Sequence, residues 1–405
     1  MTSAVVFNGN AFHCSVPSTW QYSVDMTADV LDPANPLLAD YCAGRQAVLF
    51  TSPVVDALYG TALRRYCEAR LAPGSWRCVV LPTGEHNKTM RSVEQVCEHA
   101  KAAGIDRNGV LVAVGGGILC DIVGFAASMY KRGIRYIKVN TTLVGQIDVG
   151  VGVKTGVNHL ASKNMLGSYH AAYASINDPA FLRTLPPRQV SCGLAEIVKM
   201  AVILSEELFE LLENHAPSML RRRFAPAGAA DSARDRRVLN LAIQLMMDEL
   251  GPNLRETELA RLVDFGHSFS PALEIDSDHA LQHGEAVAID MALSACIAVR
   301  MGMLEPEQCE RILALLRACD LPLYDAATCH PALLRGALQE MHLHRGCRIN
   351  LVVPTGIGRA TFIRELDALP AAVLEQACED LRRHAAGSPA RPFAATDSGA
   401  LHAAG

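Results

Sequence analysis

The segment that most constrains the fold of this chain spans residues 114–121 and reads Val-Gly-Gly-Gly-Ile-Leu-Cys-Asp. The apolar run 110–113 before it predicts a buried strand, and residues 122–127 after it predict the start of a helix. Three glycines at a helix N-terminus expose backbone N–H groups to an anion, with no Cβ in its way. Asp121 in the first turn could stabilise the N-terminus or hold a ligand hydroxyl. The spacing is not GxGxxG, so the segment predicts either a phosphate site or a tight loop.

The first half of the chain alternates short apolar runs with stretches of helical periodicity. The runs 47–51, 78–82, 110–114 and 135–139 predict buried parallel strands. Residues 1–40 are expected to form strands and a cap. This alternation is typical of an α/β layer with a mostly parallel sheet.

The second half is predominantly helical in pattern. We predict an α/β domain over residues 1–190, a helical domain over 191–385, and a disordered tail over 386–405, which is rich in Ala, Gly, Ser and Pro. Residues 223–233 are predicted to be a loop or an insertion. Helical periodicity marks residues 194–204, 206–215, 238–250, 284–301 and 305–318.

Charge and cysteine usage exclude several classes of protein. The net charge of −5 gives no reason to expect a nucleic acid or an acidic membrane surface as a partner. The 13 cysteines include no CxxC pair, which favours reduced thiols and a cytoplasmic protein. Residues 1–7 lack a basic region followed by an apolar core, so we expect no secretion signal, and no apolar run reaches the roughly 18 residues of a membrane span.

A glycine-rich segment, residues 148–158, carries cations in a second candidate anion site. It contains Lys154 and is followed by Lys163 and Asn164. Lysine offers a point charge to a phosphate, and asparagine adds neutral hydrogen bonds. The alternative is a polar loop with solvated lysines, but the glycine density and the nearby Arg132 favour the anion site.

One carboxylate and two imidazoles form a candidate metal site. Glu196 precedes Lys199 on a predicted helix, and His267 and His283 follow at long range. Such a set is common in catalytic zinc sites, where it leaves positions open for substrate. The alternative is that each histidine caps a helix or lies in the core.

A further polar segment, residues 82–88, follows a predicted strand and reads Pro-Thr-Gly-Glu-His-Asn-Lys. The Pro-x-Gly spacing predicts a turn. Glu85 could accept ribose hydroxyls, as acidic residues do in dinucleotide-binding folds. A surface turn with a charge pair is the alternative.

Together these segments resemble the sugar phosphate cyclase superfamily, which includes dehydroquinate synthase. The resemblance spans residues 45–365. It implies an N-terminal NAD-binding α/β domain, a C-terminal mainly α-helical metal-binding domain, a site in the cleft between them, and a homodimer. The motifs that carry it are, in order, Pro82-x-Gly84-Glu85-x-x-Lys88, Gly115-Gly116-Gly117-x-x-x-Asp121, Arg132-Gly133, Thr141-Thr142, Asp148 to Lys154, Lys163-Asn164, Glu196-x-x-Lys199, Gly266-His267 and His283-Gly284-Glu285.

The resemblance also implies the roles of individual residues. The metal, zinc or alternatively cobalt, would be held by Glu196, His267 and His283. Arg132 would reach the partner subunit's site. The implied NAD contacts are Glu85, Lys88, Gly115, Gly116, Gly117, Asp121, Thr141, Thr142, Asp148, Lys154, Lys163, Phe181, Thr184 and Leu185. The implied catalytic and substrate contacts are Arg132, Asp148, Lys154, Lys163, Asn164 and Lys199.

Departures from dehydroquinate synthase indicate a different substrate. Pro271 replaces a histidine used near the phosphate, Asp264 replaces an asparagine, and residues 239–250 lack the lysine that holds a substrate carboxylate. A buried anion without a partner is costly, so we expect a sugar phosphate that carries no carboxylate. The pattern over 263–271 resembles the sedoheptulose 7-phosphate cyclases, and Thr355 favours those that form 2-epi-5-epi-valiolone.

The resemblance implies a cycle of transient oxidation by NAD, loss of phosphate, return of the hydride and an intramolecular aldol closure. The expected partner is a small sugar phosphate, with no nucleic acid and no membrane. Alternatives are another sugar phosphate cyclase (a 2-epi-valiolone or desmethyl-4-deoxygadusol synthase, or dehydroquinate synthase itself), an NAD-linked metal-dependent polyol dehydrogenase, and a binding protein on an enzyme scaffold.

Overall fold

The computed structural model describes residues 4–7, 12–15, 19–160, 162–344 and 346–386. Its strands are β1 (Ala4–Phe7), β2 (Phe12–Ser15), β3 (Ser23–Met26), β4 (Ala47–Thr51), β5 (Trp76–Val80), β6 (Val110–Gly115), β7 (Arg135–Asn140), β8 (Lys154–His159), β9 (Ser162–Tyr169), β10 (Ala174–Asn177), β11 (Leu351–Gly356) and β12 (Arg359–Ile363). Its helices are α1 (Leu37–Cys42), α2 (Pro53–Arg70), α3 (Met90–Ala102), α4 (Gly117–Met129), α5 (Pro187–Leu204), α6 (Glu206–Arg222), α7 (Ala229–Leu250), α8 (Ser270–Asp276), α9 (His283–Arg300), α10 (Pro306–Ala318), α11 (Pro331–His344) and α12 (Ala371–Ala386).

A six-stranded parallel sheet, in the order β3-β10-β7-β6-β4-β5, forms the centre of the N-terminal half. Alternate residues of its central strands enter different cores. Phe50 and Ala113 pack with α3 and α4, whereas Leu49 and Val112 pack with α1 and α2. Because both faces are covered, these strands are continuous apolar runs. The predicted mostly parallel α/β sheet is therefore confirmed.

The strand order creates a crevice at the carboxyl edge of this sheet. After β4 the chain forms β5 on one side of that strand and then β6 on the other side. Ligands of open α/β sheets bind where the order reverses in this way. β5 begins two residues earlier than the predicted run, at Trp76, because it pairs with β4 in the register that sets Trp76 opposite Ala47.

A two-stranded antiparallel sheet, β8 with β9, lies in the chain between β7 and β10 of the six-stranded sheet and was not predicted as such. The predicted glycine-rich polar segment supplies its first strand. Gly156 lies opposite Gly167, where an added Cβ on Gly167 would lie 2.3 Å from the Thr155 carbonyl oxygen. These glycines therefore permit close approach of two backbones, and they do not mark an open loop.

The C-terminal half is mainly helical, with α5 and α9 buried over most of their length. The predicted loop 223–233 ends earlier than expected, because α7 begins at Ala229. Left-handed conformations at Arg223 and Phe224, with φ of 51° and 57°, end α6 before it. α11, the β11–β12 hairpin and α12 add elements that the sequence patterns had not indicated.

The boundary after residue 190 stays a prediction, although the change from sheet to helices occurs where α5 begins, at Pro187. The predicted disordered tail starts at Ala386, but this residue is the last residue of α12. Residues 387–405 lie outside the described part of the chain. Among the described helices, none combines the length and the apolar character that crossing a bilayer requires.

Candidate active site

A groove at the carboxyl edge of the sheet collects the predicted nucleotide contacts. Behind it, the Phe181 ring packs edge-on against the Tyr59 ring, with 4.9 Å between centroids. Five of the predicted NAD contacts, namely Gly116, Thr141, Thr142, Thr184 and Leu185, line this groove. The other lining residues are Ser52, Val54, Val55, Leu58, Tyr59, Thr83, Leu119 and Pro186.

The glycine turn faces this groove at the start of α4. Gly116 precedes the helix in an extended conformation, and no side chain caps the helix N-terminus. The first backbone N–H groups of the helix thus stay available to an anion. An added Cβ on Gly117 would lie 3.1 Å from Val149 Cγ2, so the turn also packs closely against the neighbouring loop. The phosphate-site interpretation agrees with this geometry.

Asp121 and Lys88 connect the glycine turn to β9. The buried Lys88 Nζ donates to Asp121 Oδ2 at 2.6 Å and to Asn164 Oδ1 at 2.6 Å. The predicted turn with Glu85 is tied to the same hairpin, because Asn158 Nδ2 donates to Glu85 Oε1 at 2.7 Å. The structure therefore brings together residues that sequence reasoning had placed in separate segments.

The loop that carries Asp148 is shaped by a residue that sequence analysis missed. Residues Gly145–Val149 form a π-helical turn, a rare conformation that is frequent at functional sites. Lys138, buried in β7, donates through Nζ to the Val149 and Gly152 carbonyl oxygens at 2.6 and 2.9 Å. Burial lowers the pKa of Lys138. A charged residue inside an otherwise apolar strand was the signal available in the sequence.

The three predicted metal ligands meet in the helical half. Ligand atoms of Glu196, His267 and His283 all lie within 4.8 Å of one another. His283 Nε2 is 3.1 Å and His267 Nε2 is 3.7 Å from Glu196 Oε1. The Glu196 side chain is fully buried, whereas those of His267 and His283 are 25% and 41% exposed. The cluster is thus partly exposed on its imidazole side.

The donor chemistry of this cluster fits a divalent cation. Neither buried oxygen of Glu196 makes a hydrogen bond of acceptable geometry with a described residue, although Lys199 Nζ lies 2.6 Å from Oε2. His267 Nδ1 is 3.1 Å from the Phe265 carbonyl oxygen, a contact that requires the proton on Nδ1 and leaves Nε2 free to coordinate. Lys199 leaves Oε1 without a partner, and a cation between Oε1 and the two imidazoles would supply one.

Close backbone packing fixes where the two histidines lie. His267 follows Gly266, which has a φ of 76° and where an added Cβ would lie 2.9 Å from Val287 Cγ1. His283 begins α9 beside Gly284, where an added Cβ would lie 2.3 Å from Cys192 Cα in α5. The glycines of both motifs are therefore required by geometry.

Glu274 on α8 is a site residue that the sequence analysis missed. Its Oε1 accepts from His283 Nδ1 at 3.0 Å, and its Oε2 accepts from Lys163 Nζ. Burial of Glu274 is outweighed by these contacts, which lower the pKa of its carboxyl to about 2. An acidic residue between the two histidines was the available signal, since metal-binding histidines commonly donate Nδ1–H to a carboxylate.

The pKa values of the two histidines move in opposite directions. Burial and the nearby Lys199 charge lower the pKa of His267 and favour its neutral form. Burial acts the same way on His283, but the Glu196 and Glu274 carboxylates outweigh it and raise the pKa of His283 to about 10. Lys199 and the histidines hold the pKa of Glu196 well below its usual range, despite its burial.

Cation binding should therefore tighten as pH rises from about 6 to about 9. His283 must lose its proton to coordinate, and its pKa of about 10 makes that proton a competitor throughout this window. Displacement of one proton changes the affinity by up to about tenfold per pH unit. Competition of a chelator for Co²⁺ at several pH values measures this slope, and a pH-independent affinity would contradict the assignment.

The remaining predicted residues occupy two different places. Lys154 Nζ forms an ion pair with Glu256 Oε1 at 2.8 Å, and its side chain is largely exposed beside the cleft. Arg132 is exposed beyond the end of α4, a 13-residue helix about 20 Å long that begins at the glycine turn. Arg132 therefore lies at the opposite end of this helix from the glycine turn.

Comparison with known proteins agrees with this architecture. The family model for the 3-dehydroquinate synthase N-terminal domain matches residues 78–192, and that for the C-terminal domain matches residues 193–341. The 2-epi-5-epi-valiolone synthase of Streptomyces glaucescens is 57% identical over 93% of this chain and 95% of that protein. Demethyl-4-deoxygadusol synthase of Trichormus variabilis is 34% identical over 88% of this chain and 87% of that protein.

A solved structure extends the comparison to three dimensions. ValA, the 2-epi-5-epi-valiolone synthase of Streptomyces hygroscopicus subsp. jinggangensis, was solved with NAD+ and Zn²⁺ bound. It matches with a TM-score of 0.85 at 39% identity, covering 91% of this chain and 99% of that one. The predicted pair of domains, an NAD-binding α/β unit and a helical metal-binding unit, has the same architecture. The chain belongs to the 3-dehydroquinate synthase family.

Proposed function

We propose that this protein is a sedoheptulose 7-phosphate cyclase that forms 2-epi-5-epi-valiolone with loss of phosphate, and thus an NAD- and metal-dependent carbon–oxygen lyase. One observation carries the proposal. Hydrogen bonds lead from Asp121, on the helix that follows the glycine turn, through Lys88 to Asn164, and from the adjacent Lys163 through Glu274 to His283. These contacts support a single site made of the nucleotide groove, the anion-binding residues and the metal ligands.

Separate groups of residues would bind the metal and the cofactor. Glu196, His267 and His283 would hold zinc, and the glycine turn with Thr141 and Thr142 would hold NAD. The cation, when bound, would polarise a carbinol oxygen, and NAD would take up and return a hydride. The NAD set further includes Glu85, Lys88, Asp121, Phe181, Thr184 and Leu185.

The cationic and amide side chains would bind the phosphate and the hydroxyl groups of the substrate. Lys154, Lys163 and Asn164 would bind the phosphate and stabilise the charge that develops as it leaves. The departing phosphate can take the neighbouring proton, so no separate carboxylate base is needed. Lys199 and Asp148, whose opposite charges interact, would orient substrate hydroxyls.

The wall formed by α7 supports a substrate without a carboxylate. The second half of this helix, residues 238–250, contains no lysine or arginine and packs against the turn that carries Asp148. Near it, Arg261 already pairs with Asp264 at 2.6 Å and with Glu256. An incoming carboxylate would lack a free cation among the described residues of this wall, which disfavours its burial.

We further propose a cytoplasmic homodimer. Arg132 is exposed at the end of α4 opposite the glycine turn, where it could reach a second copy of the chain, which agrees with the role predicted for this residue. The free state of the cysteines among the described residues agrees with a reducing compartment.

In the decisive experiment, the purified protein is incubated with NAD, Zn²⁺ and sedoheptulose 7-phosphate. We expect inorganic phosphate and 2-epi-5-epi-valiolone, identified by NMR, without net NADH, because the hydride returns within each turnover. The seven-carbon acid substrate of dehydroquinate synthase, offered in parallel, should remain unchanged. Net NADH formation from an alcohol would instead indicate a polyol dehydrogenase, and a different cyclitol would contradict the product assignment.

A further inference from the structure

The carboxylate of Glu274 contacts both a predicted anion-binding residue and a predicted metal ligand. Its side chain is only 6% exposed, and each of its two oxygens accepts from a different element. Oε1 accepts from His283 Nδ1 at the start of α9, and Oε2 accepts from Lys163 Nζ on β9. The carboxylate is thus shared between the two halves of the molecule.

One of these hydrogen bonds orients the His283 imidazole, and the other holds the Lys163 ammonium. Because Glu274 holds a proton on His283 Nδ1, Nε2, which lies 3.1 Å from Glu196 Oε1, is the nitrogen that coordinates a cation once its own proton has left. The Lys163 ammonium is held by Glu274 and lies 3.9 Å from Glu85 Oε1. Lys163 is therefore surrounded by carboxylates until another anion competes for it.

We propose that Glu274 couples the two binding events, so that a phosphate group on Lys163 and a divalent cation on His283 strengthen each other's binding. This inference rests on the proposed function. A phosphate draws the Lys163 ammonium away from Glu274, and the carboxylate then accepts more strongly from His283 Nδ1–H. The negative charge freed on Glu274 also attracts a divalent cation at Nε2 more strongly than the single proton which that cation displaces. Since coupling free energy is reciprocal, the bound cation must raise phosphate affinity by the same factor.

One substitution separates this pathway from direct attraction between phosphate and cation. Glu274→Gln keeps an oxygen that can accept from His283 Nδ1–H, but its NH₂ group cannot accept from Lys163. The variant therefore retains the support of the histidine and loses the link to the anion site. Glu274→Ala removes both contacts, and Asp276→Asn, on the exposed end of the same helix, serves as the matched control.

The test measures Co²⁺ affinity of the NAD-loaded protein by chelator competition, with and without saturating inorganic phosphate. We expect phosphate to tighten Co²⁺ binding about fivefold or more in the unaltered protein and in Asp276→Asn. The tightening should fall below about twofold in Glu274→Gln. Glu274→Ala should weaken Co²⁺ binding about 10- to 100-fold even without phosphate.

The opposite results are equally distinct. Unchanged coupling in Glu274→Gln, or none in the unaltered protein, would overturn the inference while leaving the proposed function intact. An unaltered protein that binds no Co²⁺ at all would instead overturn the proposed metal site, and the inference with it.

Discussion

Glu196→Gln should abolish both cation binding and cyclisation. The substitution removes the buried charge that faces both histidines and leaves Lys199 as an unpaired cation in a buried position. Loss of several kcal/mol of charge stabilisation corresponds to a turnover at least about 1,000-fold lower. Phosphate release from sedoheptulose 7-phosphate and chelator competition for Co²⁺ measure the two effects.

A matched variant separates this effect from general damage. Glu340→Gln makes the same chemical change at an exposed position of α11 and should leave turnover and Co²⁺ affinity within about twofold, as surface substitutions usually do. Thermal unfolding of both variants reports whether each is folded. Normal Co²⁺ affinity in a folded Glu196→Gln protein would refute the assignment of this residue as a ligand.

Gly284→Ala should have the second largest effect, although it adds a single methyl group. The new Cβ would lie 2.3 Å from Cys192 Cα and 2.4 Å from the Cys192 carbonyl oxygen, and backbone atoms cannot rotate away. Overpacking of a buried contact costs about 1–3 kcal/mol, and the rigid backbone places this case at the upper end. The shift of α9 also displaces the adjacent His283, so Co²⁺ affinity should fall together with the denaturant midpoint.

Gly336→Ala provides the control for this prediction. It lies within α11, and an added Cβ there meets no atom within 4 Å. Because alanine favours helix more than glycine does, this variant should be as stable as the unaltered protein or up to about 1 kcal/mol more stable. Equal stability of the Gly284→Ala and Gly336→Ala proteins would show that the contact between α5 and α9 is looser than described.

The sequence predicted those elements whose burial leaves a local pattern, and it missed those that depend on contacts between distant residues. The central strands were recognisable because burial on both faces leaves a local trace, as in β4 and β6. The β8–β9 hairpin was missed because β9 has only exposed and half-buried residues, and because two of the three buried residues of β8, Thr155 and Gly156, are not apolar side chains. Resemblance to a family predicted Glu196, His267 and His283, whose spacing alone left the metal site open.

The missed site residues share a different property. Lys138 and Glu274 act through contacts with residues distant in the chain, with partners 11 to 14 positions away for Lys138 and 111 for the Lys163 contact of Glu274. Neither lies in a motif that sequence spacing singles out. The role proposed for Arg132 requires a second copy of the chain, so the structure of one copy cannot place this residue in a site.

The unequal exposure of the three ligands sets the order in which an ion can be gained or lost. An ion arriving from solvent meets imidazole nitrogen first and reaches the carboxylate last, without any opening of the helical core. Exchange should therefore be fast relative to unfolding, and the metal found in the isolated protein should reflect the ions supplied during growth and purification.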